Sequence, residues 1–201
     1  DGEFDFMTAN GFRQNRQFRL NYYGVSALLA RAYLYKGDKP KALEYASEVI
    51  GADYHFTTQE ELNSMGVTLF YPEIISGVYL KNTLLKKQSE KWFSENAGST
   101  KLKISSAGAE TLFEVASLGS TDLRWKNQFG SRENENEVFL NKYFTGSLFP
   151  LIRLSEVYYI AAECAEERET RFAYLNEVRK YRFIPALDER DSRIDPENEI
   201  Y

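Results

Sequence analysis

The sequence predicts a mainly α-helical protein in which tetratricopeptide-like helix hairpins carry long loop insertions and a few short strands. Two stretches, residues 16–51 and 150–182, each place two helical patterns within about 35 residues, the length of one such hairpin repeat. Residues 55–148 between them mix polar runs with short apolar, β-branched runs. We therefore expect a helical frame interrupted by a large insertion and followed by a charged tail over residues 188–201.

The first hairpin is predicted from two consecutive helical patterns. Apolar residues at helical spacing cover residues 16–36 and then residues 40–50, and a glycine follows each pattern. The repeat requires large, small and aromatic residues at fixed positions, and this hairpin supplies Leu29, Ala30, Tyr33, Ala42 and a closing Tyr54. The spacing therefore predicts one complete helix pair.

The second hairpin is predicted from FPLIRLSEVYYIAAEC, residues 149–164, with AYLNEVRKY supplying its partner helix. Pro150 suits the first turn of a helix. The positions equivalent to those of the first hairpin are Ile160, Ala161, Cys164 and Ala173. Because a lone pair cannot bury both of its faces, at least three are normally stacked. Two copies therefore imply further neighbours or a packing partner.

The insertion contains several short elements. A capping box, either Thr57 with Glu60 or Thr58 with Glu61, predicts a short helix at its start. The apolar run YPEIISGVYL predicts a buried strand, SAGAETLFEVASL a short helix and EVFLNKYF an extended segment. The polar stretch around residues 96–100 is typical of a loop, and functional residues concentrate on loops that a rigid scaffold holds.

Composition excludes several classes of function. With 25 Lys and Arg against 30 Asp and Glu, the net charge is -5, and no basic block is dense enough to follow a phosphate backbone, so we expect no nucleic-acid partner. No run approaches the roughly 18 apolar residues of a membrane span. Because the sequence opens without Met and ends in a charged stretch, we expect it to be a single-domain fragment, residues 1–201, of a longer protein.

Three segments together resemble the SusD/RagB family, the cell-surface glycan-binding lipoproteins of Bacteroidetes. They are RLNYYGVSALLARAYLYKGDKPKALEYASEVI, YPEIISGVY, and FPLIRLSEVYYIAAEC with LNEVRKYR, and TDLR at residues 121–124 resembles the family's Asp-x-Arg element. The resemblance implies a SusD-like α/α superhelix that captures oligosaccharide or polysaccharide and passes it to a SusC-like TonB-dependent transporter. It also implies an outer-membrane, surface-exposed location through a lipid anchor that is absent from this chain.

The resemblance also implies a role for charges beside the second hairpin. An Arg, two Glu and a later Asn-x-x-Arg recur in the family at the positions of Arg153, Glu156, Glu163, Asn176 and Arg179. We infer a structural ion network between the two helices, since a buried charge is tolerated only when it is paired. Glu156→Ala is therefore expected to lower the melting temperature markedly.

Sugar binding requires an exposed aromatic plane with amide or charged groups beside it. Trp92 and Phe93, followed by Asn96, fit this requirement best, and Trp125 ranks lower because it is as well placed to pack beneath the TDLR element. These four residues are the candidate glycan ligands.

Catalysis and metal binding have weaker support. Glu156 and Glu163 could suggest a glycosidase pair, about 10 Å apart by helical rise, but both flank a packed seam. One histidine, His55, and one cysteine, Cys164, cannot form the usual zinc clusters. We expect no enzymatic activity, cofactor or metal. The alternative to glycan binding is a tetratricopeptide-type adaptor for protein or peptide partners, and a glycoside hydrolase fragment is a weaker third.

Overall fold

The computed structural model describes residues 20–65, 70–79, 87, 90–93, 102–131, 137–141 and 148–200. The α-helices among them are α1 (Tyr22–Lys36), α2 (Lys39–Ile50), α3 (Gln59–Met65), α4 (Ser106–Phe113), α5 (Leu123–Gln128), α6 (Leu154–Cys164) and α7 (Arg168–Arg182). The strands are β1 (Ile74–Tyr79), β2 (Lys103–Ser105), β3 (Phe129–Ser131), β4 (Glu137–Leu140) and β5 (Leu148–Arg153). The protein is mainly helical, as the sequence predicts.

The first hairpin has both helices that the sequence predicts, but α1 begins at Tyr22 and not near residue 16, because Asn21 is extended and caps the helix there. The Asn21 side chain accepts a hydrogen bond from the Gly24 N–H at 2.7 Å and caps the start of α1. Gly37 ends α1 in the left-handed conformation, φ +82°, which a residue without Cβ adopts without strain. Asp38 then caps α2 by accepting from the Lys41 N–H. The turn between the helices is therefore fixed at both ends by local chemistry.

The predicted start of the second hairpin is wrong. Residues 148–153 form strand β5, α6 begins only at Leu154, and Pro150 lies in the strand opposite Gly77 instead of in a first helical turn. The physical reason is the partner strand: β1 pairs antiparallel with this segment from Ile74 opposite Arg153 to Tyr79 opposite Leu148. A proline is tolerated there because the sheet has two strands and β5 is therefore an edge.

The core forms where the four long helices pack in the order α1, α2, α6, α7. Ala30 and Ala42 are fully buried, which confirms the small residues predicted for the first hairpin. Ile160, Ala161 and Cys164 are buried as expected on α6. Alanines at these contacts let the helix backbones approach closely. The stacked helices therefore share one continuous hydrophobic cluster.

The predicted equivalence of Ala173 and Ala42 is wrong, because Ala173 is exposed. Helix α7 buries a different stripe, whose members at helical spacing are Phe172, Leu175, Val178 and Arg182. Since one residue turns a helix by about 100°, Ala173 falls outside this stripe. The second hairpin thus uses a large aromatic, Phe172, beside the position where the first uses alanine.

The insertion follows its predicted elements over the part that is described. Thr58 and Glu61, the second of the two predicted pairings, form the capping box of α3: the Thr58 N–H donates to Glu61 at 2.8 Å and the Glu61 N–H donates to Thr58 Oγ1 at 3.2 Å. The predicted buried strand is β1, and the later extended segment is β4, the middle strand of the sheet β2-β4-β3. Helix α4 ends at Phe113 with Glu114 in the left-handed conformation, earlier than the apolar pattern suggests.

Candidate functional site

The candidate glycan surface lies beside the three-stranded sheet of the insertion. The Trp92 side chain is 42% exposed, and the Phe93 ring stands edge-on to it with 6.5 Å between ring centroids. The Trp92 carbonyl accepts a hydrogen bond from the Leu102 N–H at 2.8 Å, and the Leu102 carbonyl accepts from the Leu140 N–H of β4 at 2.9 Å. These bonds attach the Trp92 backbone to the sheet while the ring faces solvent. Asn96 lies outside the described residues.

Trp125 occupies a different environment. Its ring stacks on Phe129, with centroids 5.3 Å apart, and meets Phe113 at 5.6 Å. The Arg124 guanidinium lies over the Phe113 ring at 5.5 Å and completes the cluster. Trp125 therefore has less free ring surface than Trp92 to offer a sugar.

The Asp-x-Arg element has a local structural role. Asp122 is 1% exposed, and it caps α5 by accepting from the Arg124 N–H at 2.7 Å. The Arg124 side chain folds back on the same carboxylate, with Nη2 to Oδ2 at 2.7 Å. The pair fixes the start of α5, the helix that carries Trp125.

A polar cleft of about 620 Å³ separates α4 and the turn after it from α7 and the segment that follows α7. Its volume falls within the roughly 300 to 1,000 Å³ of ligand pockets. Aromatic side chains, Phe113 and Tyr159, share its wall with charged ones, namely Glu114, Asp122, Arg124, Arg179, Arg182 and Glu199. Burial lowers the pKa of Arg179, and the nearby Glu199 carboxylate opposes that effect. The cleft is a second surface that could bond sugar hydroxyls.

The residues of the predicted ion network have contacts that differ from those expected. Glu156 is bound in a bidentate fashion by Arg31 of α1, at 2.6 and 2.8 Å. Asn176 exchanges two hydrogen bonds with the Leu187 backbone, and Arg179 donates to the Pro185 carbonyl at 2.7 Å and to Glu199 at 3.4 Å. Glu156 thus ties α6 to α1, while Asn176 and Arg179 hold the segment after α7.

The two remaining members of that network lie at the ends of α6. Arg153 is the last residue of β5 and precedes α6 directly, and Glu163 lies in the last turn of α6. Both are half-buried and interact with other residues of the protein. The Glu163 carbonyl also accepts a hydrogen bond from the Lys39 ammonium at 3.3 Å, which adds a link to α2.

A buried ion pair that sequence analysis missed joins the insertion to α7. Arg182 donates from Nη1 and Nη2 to the two carboxylate oxygens of Glu73, at 2.7 and 2.5 Å, and both side chains are almost fully buried. A signal was present in the sequence: the spacing of Phe172, Leu175 and Val178 places Arg182 on the same buried stripe. An arginine on an apolar stripe indicates a partner, but the identity of Glu73 requires the tertiary fold.

The Nε2 atom of His55 lies 2.8 Å from the Glu61 carboxylate, so His55 packs against the first turn of α3. Among the residues that the structure describes, no group of three or more His, Cys, Asp and Glu side chains could hold a metal ion. Across the same residues, no helix combines the length and apolar character needed to cross a membrane.

Comparison with known proteins gives matches at the level of structure. No protein-family model matches the sequence, and no curated protein does so either. The fold matches a SusD superfamily protein from Bacteroides thetaiotaomicron VPI-5482, with TM-score 0.68 and 17% identity over 93% of this chain and 46% of that one. It also matches a Bacteroides vulgatus ATCC 8482 protein assigned provisionally as sugar-binding, with TM-score 0.67 and 24% identity over 91% of this chain and 44% of that one.

A laminarin-binding SusD-like protein matches with TM-score 0.58 and 16% identity, over 93% of this chain and 53% of its own length. The chain therefore shares the fold of these proteins and spans about half of their length.

Proposed function

We propose that this chain, which has the SusD-like fold, belongs to a non-enzymatic protein that captures oligosaccharide or polysaccharide. The observation that supports this most directly is that structures sharing the fold include a laminarin-binding protein. The chain adds an exposed tryptophan on the inserted region, outside the helical frame. A rigid frame that presents aromatic rings is the arrangement expected of a carbohydrate binder.

The Trp92 ring is the group that we propose contacts sugar. The axial C–H groups of a pyranose form an apolar face that packs on the face of an indole, and ring hydroxyls then point sideways toward polar partners. The Phe93 ring stands at 90° to the indole with 6.5 Å between centroids, and Trp92 remains 42% exposed. Asn96 would supply a side-chain amide for the sugar hydroxyls. Trp125, packed with Phe113 and Phe129, would offer a smaller ring surface to the sugar.

The wider role that we propose follows from the SusD resemblance. The full protein would be a lipid-anchored protein of the outer-membrane surface and would pass its saccharide to a SusC-like TonB-dependent transporter. Capture then needs no chemical step, since the transporter uses the bound saccharide as its cargo. Neither a cofactor nor a metal enters this role.

The test is a glycan array that includes laminarin, probed with wild type and Trp92→Ala. Loss of the stacking contact is expected to weaken binding about tenfold, the equivalent of roughly 1.4 kcal/mol. Tyr35→Ala is the matched control, because Tyr35 is an exposed aromatic residue, 96% accessible, on the helical frame. It should leave binding unchanged.

The result that would remove Trp92 from the site is full retention by Trp92→Ala of every glycan that wild type binds. Arg179→Met would then test the polar cleft in the same assay, because Arg179 lies in its wall. Absence of binding to any glycan by the wild-type protein would overturn the proposed function itself.

A further inference from the structure

The polar cleft between α4 and α7 is lined by side chains whose hydrogen-bonding groups are not all used within the protein. Tyr159 of α6 and Asn198 of the segment after α7 both line it. Neither the Tyr159 hydroxyl nor the Asn198 side-chain amide bonds to any residue that the structure describes. The carboxylate of Glu114, directly after α4, accepts no hydrogen bond from those residues either. Donors and acceptors that surround one cavity without internal partners are available to a ligand.

Arg179 has the weakest ion pair among the arginines of the cleft wall. Its Nε group donates to the Pro185 carbonyl at 2.7 Å, but Nη1 lies 3.4 Å from Glu199, beyond the roughly 2.7 to 2.9 Å of a charged N–H···O bond. By contrast, Arg124 and Arg182 are each bound to a carboxylate at 2.7 Å or less. Arg179 and Glu199 are therefore the charged groups of the cleft that can most easily turn to a ligand.

The Tyr159 hydroxyl lies close to two of these guanidinium groups. Burial lowers the pKa of Arg179, and Glu199 and Tyr159 oppose that effect. Burial also acts to lower the pKa of Arg124, but Asp122 and, to a smaller extent, Tyr159 raise it. The charge of Arg124 in turn lowers the pKa of Arg179. The hydroxyl and the two guanidinium groups therefore converge on one part of the cleft.

The charges around the cleft are of both signs, and they favour a neutral ligand. An anion would meet the carboxylates of Glu114 and Glu199, whereas a cation would meet the guanidinium groups of Arg124 and Arg179. Each hydroxyl of a sugar both donates and accepts, so a saccharide can bond groups of either sign without bringing a charge of its own. The wall also contains apolar side chains on which sugar C–H groups can pack; they are Leu112, Leu118, Ile184 and Leu187.

We infer that the cleft is a second saccharide site, separate from the Trp92 surface, and that it selects neutral sugars through hydrogen bonds. Trp92 does not line the cleft. Arg179 donates to one ring hydroxyl, Glu199 accepts from the neighbouring hydroxyl, and Tyr159 bonds a third. The inference rests on the proposed function, because it assigns a further site to the same capture of saccharide.

The two sites divide recognition between them. Stacking on the Trp92 indole accepts any pyranose that has an apolar face, because it does not depend on the pattern of hydroxyls. A cleft with fixed hydrogen-bonding groups discriminates more strongly, since a sugar that lacks a required hydroxyl leaves those groups unpaired. We therefore expect the cleft to determine which neutral sugar is retained.

The experiment places an environment-sensitive fluorophore at the rim of the cleft in the full-length protein. Leu118→Cys provides the attachment point, because Leu118 lines the cleft and is 53% exposed. The native Cys164 reacts slowly, since burial raises the pKa of its thiol to about 11. The probes are neutral oligosaccharides of glucose, of mannose and of galactose, with an oligogalacturonide as the acidic counterpart of the galactose series. We expect a saturable fluorescence change with a neutral oligosaccharide and none with the oligogalacturonide at the same concentrations.

Substitutions in the labelled protein test the individual contacts. Tyr159→Phe keeps the ring and removes only the hydroxyl, and it should weaken binding at the cleft about fivefold. Asn198→Ala, at an exposed position, should have an effect of similar size. Tyr158→Phe is the matched control, because Tyr158 neighbours Tyr159 on α6 but packs against Phe56 outside the cleft. It should leave binding at the cleft unchanged, as should Trp92→Ala.

The outcomes separate a failure of this inference from a failure of the proposed function. No saturable change with any of the neutral oligosaccharides, in a protein that binds glycans on the array, would overturn the inference alone. Equal midpoints for wild type, Tyr159→Phe and Asn198→Ala would overturn it as well, and so would tighter binding of the oligogalacturonide. Loss of the signal in Trp92→Ala would show that the cleft is not a separate site. A wild-type protein that binds no glycan on the array would overturn both the inference and the proposed function.

Discussion

Two ion pairs in this protein have nearly the same geometry and very different surroundings. Arg182 binds Glu73 and Arg31 binds Glu156, each with two hydrogen bonds between guanidinium and carboxylate. Each pair joins segments more than 100 residues apart in sequence. The side chains of the first pair are 4% and 0% exposed, while those of the second are 42% and 36% exposed.

Because the two pairs differ mainly in exposure, we expect burial, and not bond geometry, to decide what each contributes to stability. Arg182 lies over the rings of Phe56 and Phe70, at 5.5 and 4.9 Å, and Glu73 also accepts the Thr57 N–H at 3.1 Å. Removal of one partner from this site would leave the other charge buried and largely uncompensated. Around Arg31 and Glu156 solvent is present and can hydrate either charge after the other is lost.

The largest effect is expected from breaking the buried pair. Arg182→Met leaves the Glu73 carboxylate buried without its partner, and we expect the free energy of unfolding to fall by about 3 to 5 kcal/mol. Urea denaturation followed by circular dichroism measures the change. The double variant Glu73→Gln with Arg182→Met is the control and should recover part of the loss, since no unpaired charge remains. A loss of less than about 1 kcal/mol in the single variant would contradict the burial argument.

A smaller effect is expected at the capping box of α3, where the charge contact is local. Glu61→Ala removes the acceptor of the Thr58 N–H and should cost about 1 kcal/mol. Glu60→Ala is the matched control, because Glu60 is exposed and belongs to the pairing that the structure does not use. An equal loss in both variants would show that helix propensity, not capping, sets the effect.

The capping box also predicts a pH dependence. The Thr58 N–H and the His55 ring hold the pKa of Glu61 below its ordinary value. A carboxylate with a lowered folded-state pKa contributes its full stability above the unfolded pKa of about 4.3 and loses it as the pH falls through the folded pKa. The stability difference between wild type and Glu61→Ala should therefore shrink below about pH 4.3. Urea titrations at several pH values measure it, and a difference that grows on acidification would refute the assignment.

The smallest effect is expected at the exposed pair. Glu156→Gln should lower the free energy of unfolding by only about 0.2 to 1 kcal/mol, in contrast to the marked loss that the sequence suggested. A double-mutant cycle with Arg31→Met isolates the coupling, which should weaken further in 0.5 M salt because exposed charges are screened. A coupling free energy above about 2 kcal/mol would contradict this prediction, because it would equal what is expected of a buried pair.

Much of the helical frame follows from local sequence. Ala30 and Ala42 are buried at the close contact between α1 and α2, where small residues are required. Thr58 and Glu61 form the capping box of α3. The strand β1 is also evident, because its apolar run is short and rich in β-branched residues. These features depend on neighbours within one helical turn or one strand, which is the range over which a sequence pattern is informative.

The features that sequence analysis missed depend on distant partners. Residues 148–153 carry an apolar pattern that fits a helix as well as a strand, and β1 selects the strand. The buried partner of Arg182 is 109 positions away, so no local pattern identifies it. Of the candidate site, Trp92 is exposed and Trp125 packs in an aromatic cluster, and their roles toward a glycan stay predictions. The polar cleft is assembled from α4, α7 and the segment after α7, so no local pattern predicts it.

The pairing of β1 with β5 places Tyr79 opposite Leu148, so the two ends of the segment formed by residues 80–147 are held side by side. The entropic cost of closing such an excursion grows only with the logarithm of its length, about 0.6 kcal/mol for each doubling. By this measure alone, a longer segment would cost the folded helices little. Two paired strands thus allow the length of the segment to vary while its two ends stay in place.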